Sequence, residues 1–209
     1  NVLGGSASTA PSATIPGSEL TLSDGTTSPQ DLIYTVTPNT EEGCEGEDFT
    51  VTITVNPTAQ INQPENLTLC DGDTAEIDFT TLNEGGDTTY AWQVVLGESD
   101  DIGPITTQGS GDGNINLTVE NEEDSFDVLT ATIQVTPTFT NNDVECVGPS
   151  KQFTITVLPN VELIPIDDIT ICHGEVLEVD FETNFTGGTI SYTWESSETI
   201  FSNVVGNQG

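Results

Sequence analysis

Across 209 residues the chain carries 35 acidic side chains against one basic residue, Lys151, and one imidazole, His173, for a formal charge of −34. A field of that sign repels phosphate backbones and anionic lipid, whose recognition rests on Lys and Arg, so nucleic-acid binding is excluded. Apolar residues make up 33% and fall in alternation, which points to a folded chain, and no run of 18 of them is present to span a membrane, so no membrane insertion is expected.

In chain order, "IYTVT" (33 to 37) and "FTVTITV" (49 to 55) alternate with period two, which would turn Val51, Ile53 and Val55 inward and Thr50, Thr52 and Thr54 outward. Strands are then predicted near 58 to 62, 66 to 70, 75 to 81, 88 to 96, 103 to 108, 114 to 119, 127 to 136 and 151 to 158. Turn signals separate them: "CDGD" at 70 to 73, "NEGGD" at 83 to 87, "GSGDGN" at 109 to 114 and "TNND" at 140 to 143. No stretch has a 3.6-residue period with helix caps. About seven short strands per hundred residues at this turn spacing predict an all-β, antiparallel β-sandwich of the immunoglobulin type, with Trp92 as its core anchor.

The segment from Cys44 to Trp92 returns without a gap as Cys146 to Trp194, with 18 of the 49 positions identical. Unrelated chains would share about three, so the chain is a tandem array, with a period of 102 residues. Such a period is a whole domain rather than a solenoid turn. Residues 1–57 therefore read as the back part of one domain, 58–159 as a complete domain and 160–209 as the front part of the next, within a longer protein. Pro57 and Pro159 fall between copies. The linkers "NPTAQINQP" and "LPNVELIPI" have no glycine run, so short, stiff joints and a rod-like array are expected, each copy having its neighbours as partners.

Each copy contributes two cysteines. The favoured pair is Cys70 with Cys146, leaving Cys44 and Cys172 to find partners in the parts of their own domains that lie outside the chain; free thiols are the alternative. A disulfide would imply an oxidising, extracytoplasmic setting. Asp71, Asp73, Asp100, Asp101 and Asp112 offer hard oxygen ligands in turns, as Ca2+ requires, but none completes a calcium-loop motif, and "DGD" in one copy is "HGE" in the other. His173 stands where the neighbouring copy has Asp71, which does not suit a catalytic base. No nucleophile, metal-protease or phosphate-loop motif is present, so no enzyme is expected. Asn66, Asn116 and Asn184 head short N-glycosylation sequons.

Taken together, "YTVTP" (34 to 38), Cys44 and Gly46 with the run to Pro57, and then Leu69 to Trp92 with its Cys, Gly-Gly and Tyr-x-Trp spacing resemble the PKD-like or Ig-like repeats of large Bacteroidota surface proteins. They are similar in particular to those exported by the type 9 secretion system, including gliding-motility adhesins of the SprB kind. The middle copy departs from the pattern with "IQVTP" at 133 to 137. The resemblance implies an extracellular, outer-membrane-attached filament whose repeats form a stalk. It also implies secretion and motility machinery as partners, and surface polysaccharide or substratum bound through other regions. O-glycosylation at Thr74 in "DTA" and Thr88 in "DTT" is implied as well. Two other readings stay open: a carbohydrate-binding accessory array of a secreted enzyme, which would need exposed aromatics, and an adhesin whose joints are rigidified by calcium.

Overall fold

Two hairpins built on the same plan organise the protein. The computed structural model describes residues 1–8, 12–97, 102, 110–121, 127–185 and 189–196. In the first copy, β3 (Gln30–Val36) pairs antiparallel with β4 (Phe49–Val55) over seven positions, from Gln30 opposite Val55 to Val36 opposite Phe49. In the middle copy the first part of β10 (Leu129–Asn141) pairs with β12 (Lys151–Leu158) over seven positions, from Leu129 opposite Val157 to Val135 opposite Lys151. The register is the same, shifted by 99 residues on the first strand and by 102 on the second. The difference is an insertion of three residues in the middle copy between "TP" and the cysteine. It extends β10 and adds β11 (Val144–Val147), joined by a two-residue turn at Asn142 and Asp143. Both turn residues have positive φ, 50° and 61°, the backbone that a tight hairpin with twisted strands requires and that Asn and Asp tolerate.

Around β10 and β12 the middle copy completes a sandwich. β5 (Leu67–Cys70), β12, β10, β7 (Asp87–Gly97) and β8 (Ser110–Asp112) form one sheet, with β11 continuing the line of β12 beside β10. β6 (Thr74–Ile77) and β9 (Ile115–Thr118) form the second layer. The pairs are antiparallel except β5 on β12, which is parallel. Alternation decides what is buried: Leu129, Ala131, Ile133, Val135 and Phe139 of β10 all point inward, as do Phe153, Ile155 and Val157 of β12. Leu129, Ala131, Ile133, Val135, Phe153, Ile155 and Val157 pack with Ala75, Ile77, Phe79, Ile115 and Val119, and Trp92 lies among them as expected.

Several expectations are corrected. Residues 58 to 62 form no strand, although Ala59 and Ile61 are buried. This stretch is flanked by Pro57 and Pro64, and in place of a ladder its backbone makes separate bonds, among them Asn62 N–H to the Thr80 carbonyl at 2.8 Å and Gln60 N–H to Asn83 Oδ1 at 2.6 Å. The sequence reading did not foresee β8 or β11. The strand expected at 103 to 108 lies outside the described residues. In 160–196 the described residues hold a single isolated bridge, Leu163 with Thr183. In the first copy, β1 (Val2–Leu3) pairs with β2 (Thr21–Leu22), and the described residues contain no helix.

Candidate functional site: the joint between copies

Where the first copy passes into the middle one, the polar groups of both are spent on each other. The "NEGGD" turn presents Asn83, whose Oδ1 accepts the Gln60 N–H at 2.6 Å and the Thr81 hydroxyl at 3.0 Å. Its Nδ2 donates to the carbonyls of Thr58 at 3.2 Å and Thr27 at 3.3 Å, and the next N–H, of Glu84, donates to the same Thr27 carbonyl at 2.9 Å. One amide thus holds the first copy's loop, the linker and the middle copy together. Gly85, with φ of 79°, turns the chain against Pro29, where an added Cβ would come within 3.0 Å of the proline ring. On the other side of Pro57, Asn141 Nδ2 donates to Asn56 Oδ1 at 2.8 Å and Asn56 Nδ2 donates to the Asn141 carbonyl at 3.2 Å. Asn141 is the last residue of β10, so the three-residue insertion carries the hairpin tip to the preceding copy. An open hollow beside the joint, between Leu20 and Thr26 on one wall and Val55 and Gln60 on the other, has a single ionisable side chain in its lining, Asp24.

The sequence reading did not find Asn83, Asn56 or Asn141. The length difference between copies was the signal for Asn141; a lone Asn in a turn carried none for Asn83.

The two halves of the "C.G" motif have different fates. Gly148 donates its N–H to the Pro137 carbonyl at 2.9 Å, as Gly46 does to Pro38 at 2.8 Å. At Gly148 the Ala59 backbone runs so close that an added Cβ would stand 1.9 Å from its carbonyl oxygen, so only glycine fits. No two of Cys44, Cys70, Cys146 and Cys172 pair with each other. The favoured bridge from Cys70 to Cys146 is corrected by register. Cys70 sits beside Leu158, at the end of the sheet where Leu129 meets Val157, while Cys146 sits opposite Phe139. Ten residues of β10 separate those levels, about 33 Å of strand, against the 7 Å that a disulfide tolerates between Cα atoms.

The acidic turns serve backbone. Asp73 Oδ2 accepts the Cys70 N–H at 2.9 Å, and in the next copy Glu175 Oε2 accepts the Cys172 N–H at 2.8 Å. Gly72 and Gly174 follow with φ of 86° and 89°. Thus "DGD" and "HGE" are one turn with interchangeable carboxylates, and His173 is an exposed residue within it. Asp71 accepts the Asn121 N–H at 2.9 Å and the Asn160 side-chain amide at 2.7 Å, tying the turn to the following linker. Asp112 is exposed on β8. Asp100 and Asp101 lie outside the described residues. Among the described residues no three carboxylate, thiol or imidazole groups converge as a metal site needs.

Thr74 is exposed at the start of β6. Thr88 is not open to a glycan in this fold: its hydroxyl oxygen is buried opposite Phe139, with no hydrogen-bond partner. Asn66 Oδ1 is engaged by the Thr154 N–H at 2.8 Å. Among the described residues no helix is long and apolar enough to cross a membrane.

No curated protein matches the chain. Residues 1–59, which run from β1 through the β3–β4 hairpin to the linker, match the PKD-like domain family, which agrees with the all-β architecture and indicates a structural or adhesion-type repeat module of a kind that is typically non-catalytic.

Proposed function

We propose that the chain is a stalk segment of a long extracellular adhesin: its repeats act as spacers that hold binding regions away from the cell surface, and it performs no chemistry itself. The observation that carries this reading is the joint, where Asn83 and the Asn56–Asn141 pair lock consecutive copies with amides that are independent of charge and of metal. A spacer needs that property, because a flexible joint would fold the filament back on itself. The PKD-like match over residues 1–59 supports the repeat character. Display on the outer membrane after type 9 export follows from the resemblance of the repeats alone.

Solution scattering on the monomer peak of a sizing column tests the proposal. The chain is expected to give the same maximum dimension with and without chelator, whereas Asn83→Ala combined with Asn141→Ala should broaden the distance distribution. Collapse on chelation would move the function to a calcium-rigidified joint, and a double variant indistinguishable from the parent would remove the joint as its basis.

A further inference from the structure

We propose that the middle copy is built to carry tension along the chain, and that the parallel contact of β5 with β12 is the clamp that bears it. The proposal rests on the stalk reading, since a spacer between an anchored end and a bound surface is pulled from its two ends.

Topology sets the path of the load. The chain enters the middle copy at Pro57, passes Gly148 at Ala59 and reaches β5 at Leu67; it leaves from Leu158, the last residue of β12. β5 runs parallel to β12, with Leu67 opposite Ile155 and Cys70 opposite Leu158. A pull on the two ends therefore drags β5 by its first residue and β12 by its last, in opposite directions along their common axis. The bonds between them are strained together, whereas an antiparallel pair entered and left in the same way would open one rung at a time. β5 is the edge strand of its sheet and β12 is its neighbour there, so the load passes from one to the other.

Side chains lengthen the clamp at both ends. Before β5, Gln63 Nε2 donates to the Gln152 carbonyl at 2.8 Å, and Asn66 Oδ1 accepts the Thr154 N–H at 2.8 Å. Beyond it, the Asp71 N–H donates to the Leu158 carbonyl at 2.9 Å, and Asp71 Oδ2 accepts from Asn160 Nδ2 at 2.7 Å. Residues 63 to 71 are thus tied to residues 152 to 160, and Leu67 and Leu69 pack against the core from the same strand. The stretch ahead of Gln63 is bonded elsewhere, Asn62 to Thr80 and Gln60 to Asn83, and its release leaves β5 on β12.

Constant-force stretching of the whole chain by its two termini tests the clamp, with unfolding in denaturant as the load-free reference. Asn66→Ala removes one bond of the clamp. Asn114→Ala removes a bond of the same kind, the one its Oδ1 accepts from the Phe79 N–H at 2.9 Å, in the second layer, which is still intact when β5 parts from β12. Both variants should unfold at lower denaturant than the parent. Under load, Asn66→Ala should quicken the largest length step, the release of the middle copy, roughly fivefold for the loss of one such bond, while Asn114→Ala keeps close to the parent rate. An Asn66→Ala chain that keeps the parent rate under load, or an Asn114→Ala chain that quickens as much, overturns the proposal. Neither outcome depends on how stiff the joints are, so failure of the clamp is read separately from failure of the stalk.

Discussion

Trp92 and Trp194 end the same repeated motif, yet the first is 5% exposed and the second 75%. Everything within a few residues of each other is alike in the two regions: the Cys-x-Gly-acid turn, the bridge that ties the extended segment to its neighbour, and the Phe–Tyr ring pair. The difference lies at long range. In the middle copy β10 and β12, both drawn from beyond Trp92 in the chain, cover the motif and pair with its strands. Beside residues 160–196 no such strands stand among the described residues, and the apolar positions face solvent. Turns are local and form from their own residues, whereas a strand exists only with a partner.

The sharpest way to break that comparison is to remove the two tryptophans in turn. Trp92→Ala is expected to cost about 3 to 5 kcal/mol, since it empties the space between the layers. Trp194→Ala should change the main unfolding transition by no more than about 0.5 kcal/mol, as an exposed side chain does. Denaturant melts followed by backbone circular dichroism read both. Equal losses would mean that the two motifs are packed alike.

Glycine 148 and glycine 46 give the next largest contrast. Gly148→Ala drives a methyl into the Ala59 backbone and should cost roughly 1 to 3 kcal/mol, the range for forced overpacking. Gly46→Ala meets only the Pro38 ring, 2.9 Å away, and should cost distinctly less, because the nearest atom belongs to a side chain. Melting the two variants side by side settles whether close approach by the preceding segment sets the requirement.

Smaller again is the turn carboxylate. Asp73→Ala removes the acceptor for the Cys70 N–H next to the parallel β5–β12 pair and should lower stability by about 0.5 to 1.5 kcal/mol. Glu175→Ala breaks the same local bond where no strand depends on it, and should leave the main melt unchanged. A matching loss in both would show that the second turn, too, supports a packed domain.

Most of the sandwich was legible because alternation is a direct record of two-faced strands: the stretches expected at 49 to 55, 127 to 136 and 151 to 158 became β4, β10 and β12, each with alternating burial. The segment at 58 to 62 was misread because burial without pairing leaves the same apolar mark as a strand. β11 was missed because Val144 and Val147 are exposed and show no alternation. The cysteine pairing failed for a different reason. Recurrence shows that two positions matter to each copy, but only register says at which end of the sheet each one stands. At the joint, Asn83 works through its amide alone, and a turn rich in Asn and Gly looks the same whether or not a neighbouring copy uses it.

The smallest effect isolates a single phenol of the middle copy. Tyr90, half-buried on β7 against Phe79, has its pKa raised above the ordinary 10.0 because burial disfavours the phenolate. A raised pKa in the folded state means that the unfolded chain releases this proton first. Its contribution to stability is therefore whole below pH 10, falls as the pH climbs through the unfolded value, and is gone once the folded value is passed. Tyr90→Phe should flatten the alkaline decline relative to the parent chain while keeping the ring contact with Phe79. A variant that loses stability with pH as steeply as the parent would show that the phenol is hydrated, and that the middle copy is less tightly closed over β7 than its buried tryptophan two residues on requires.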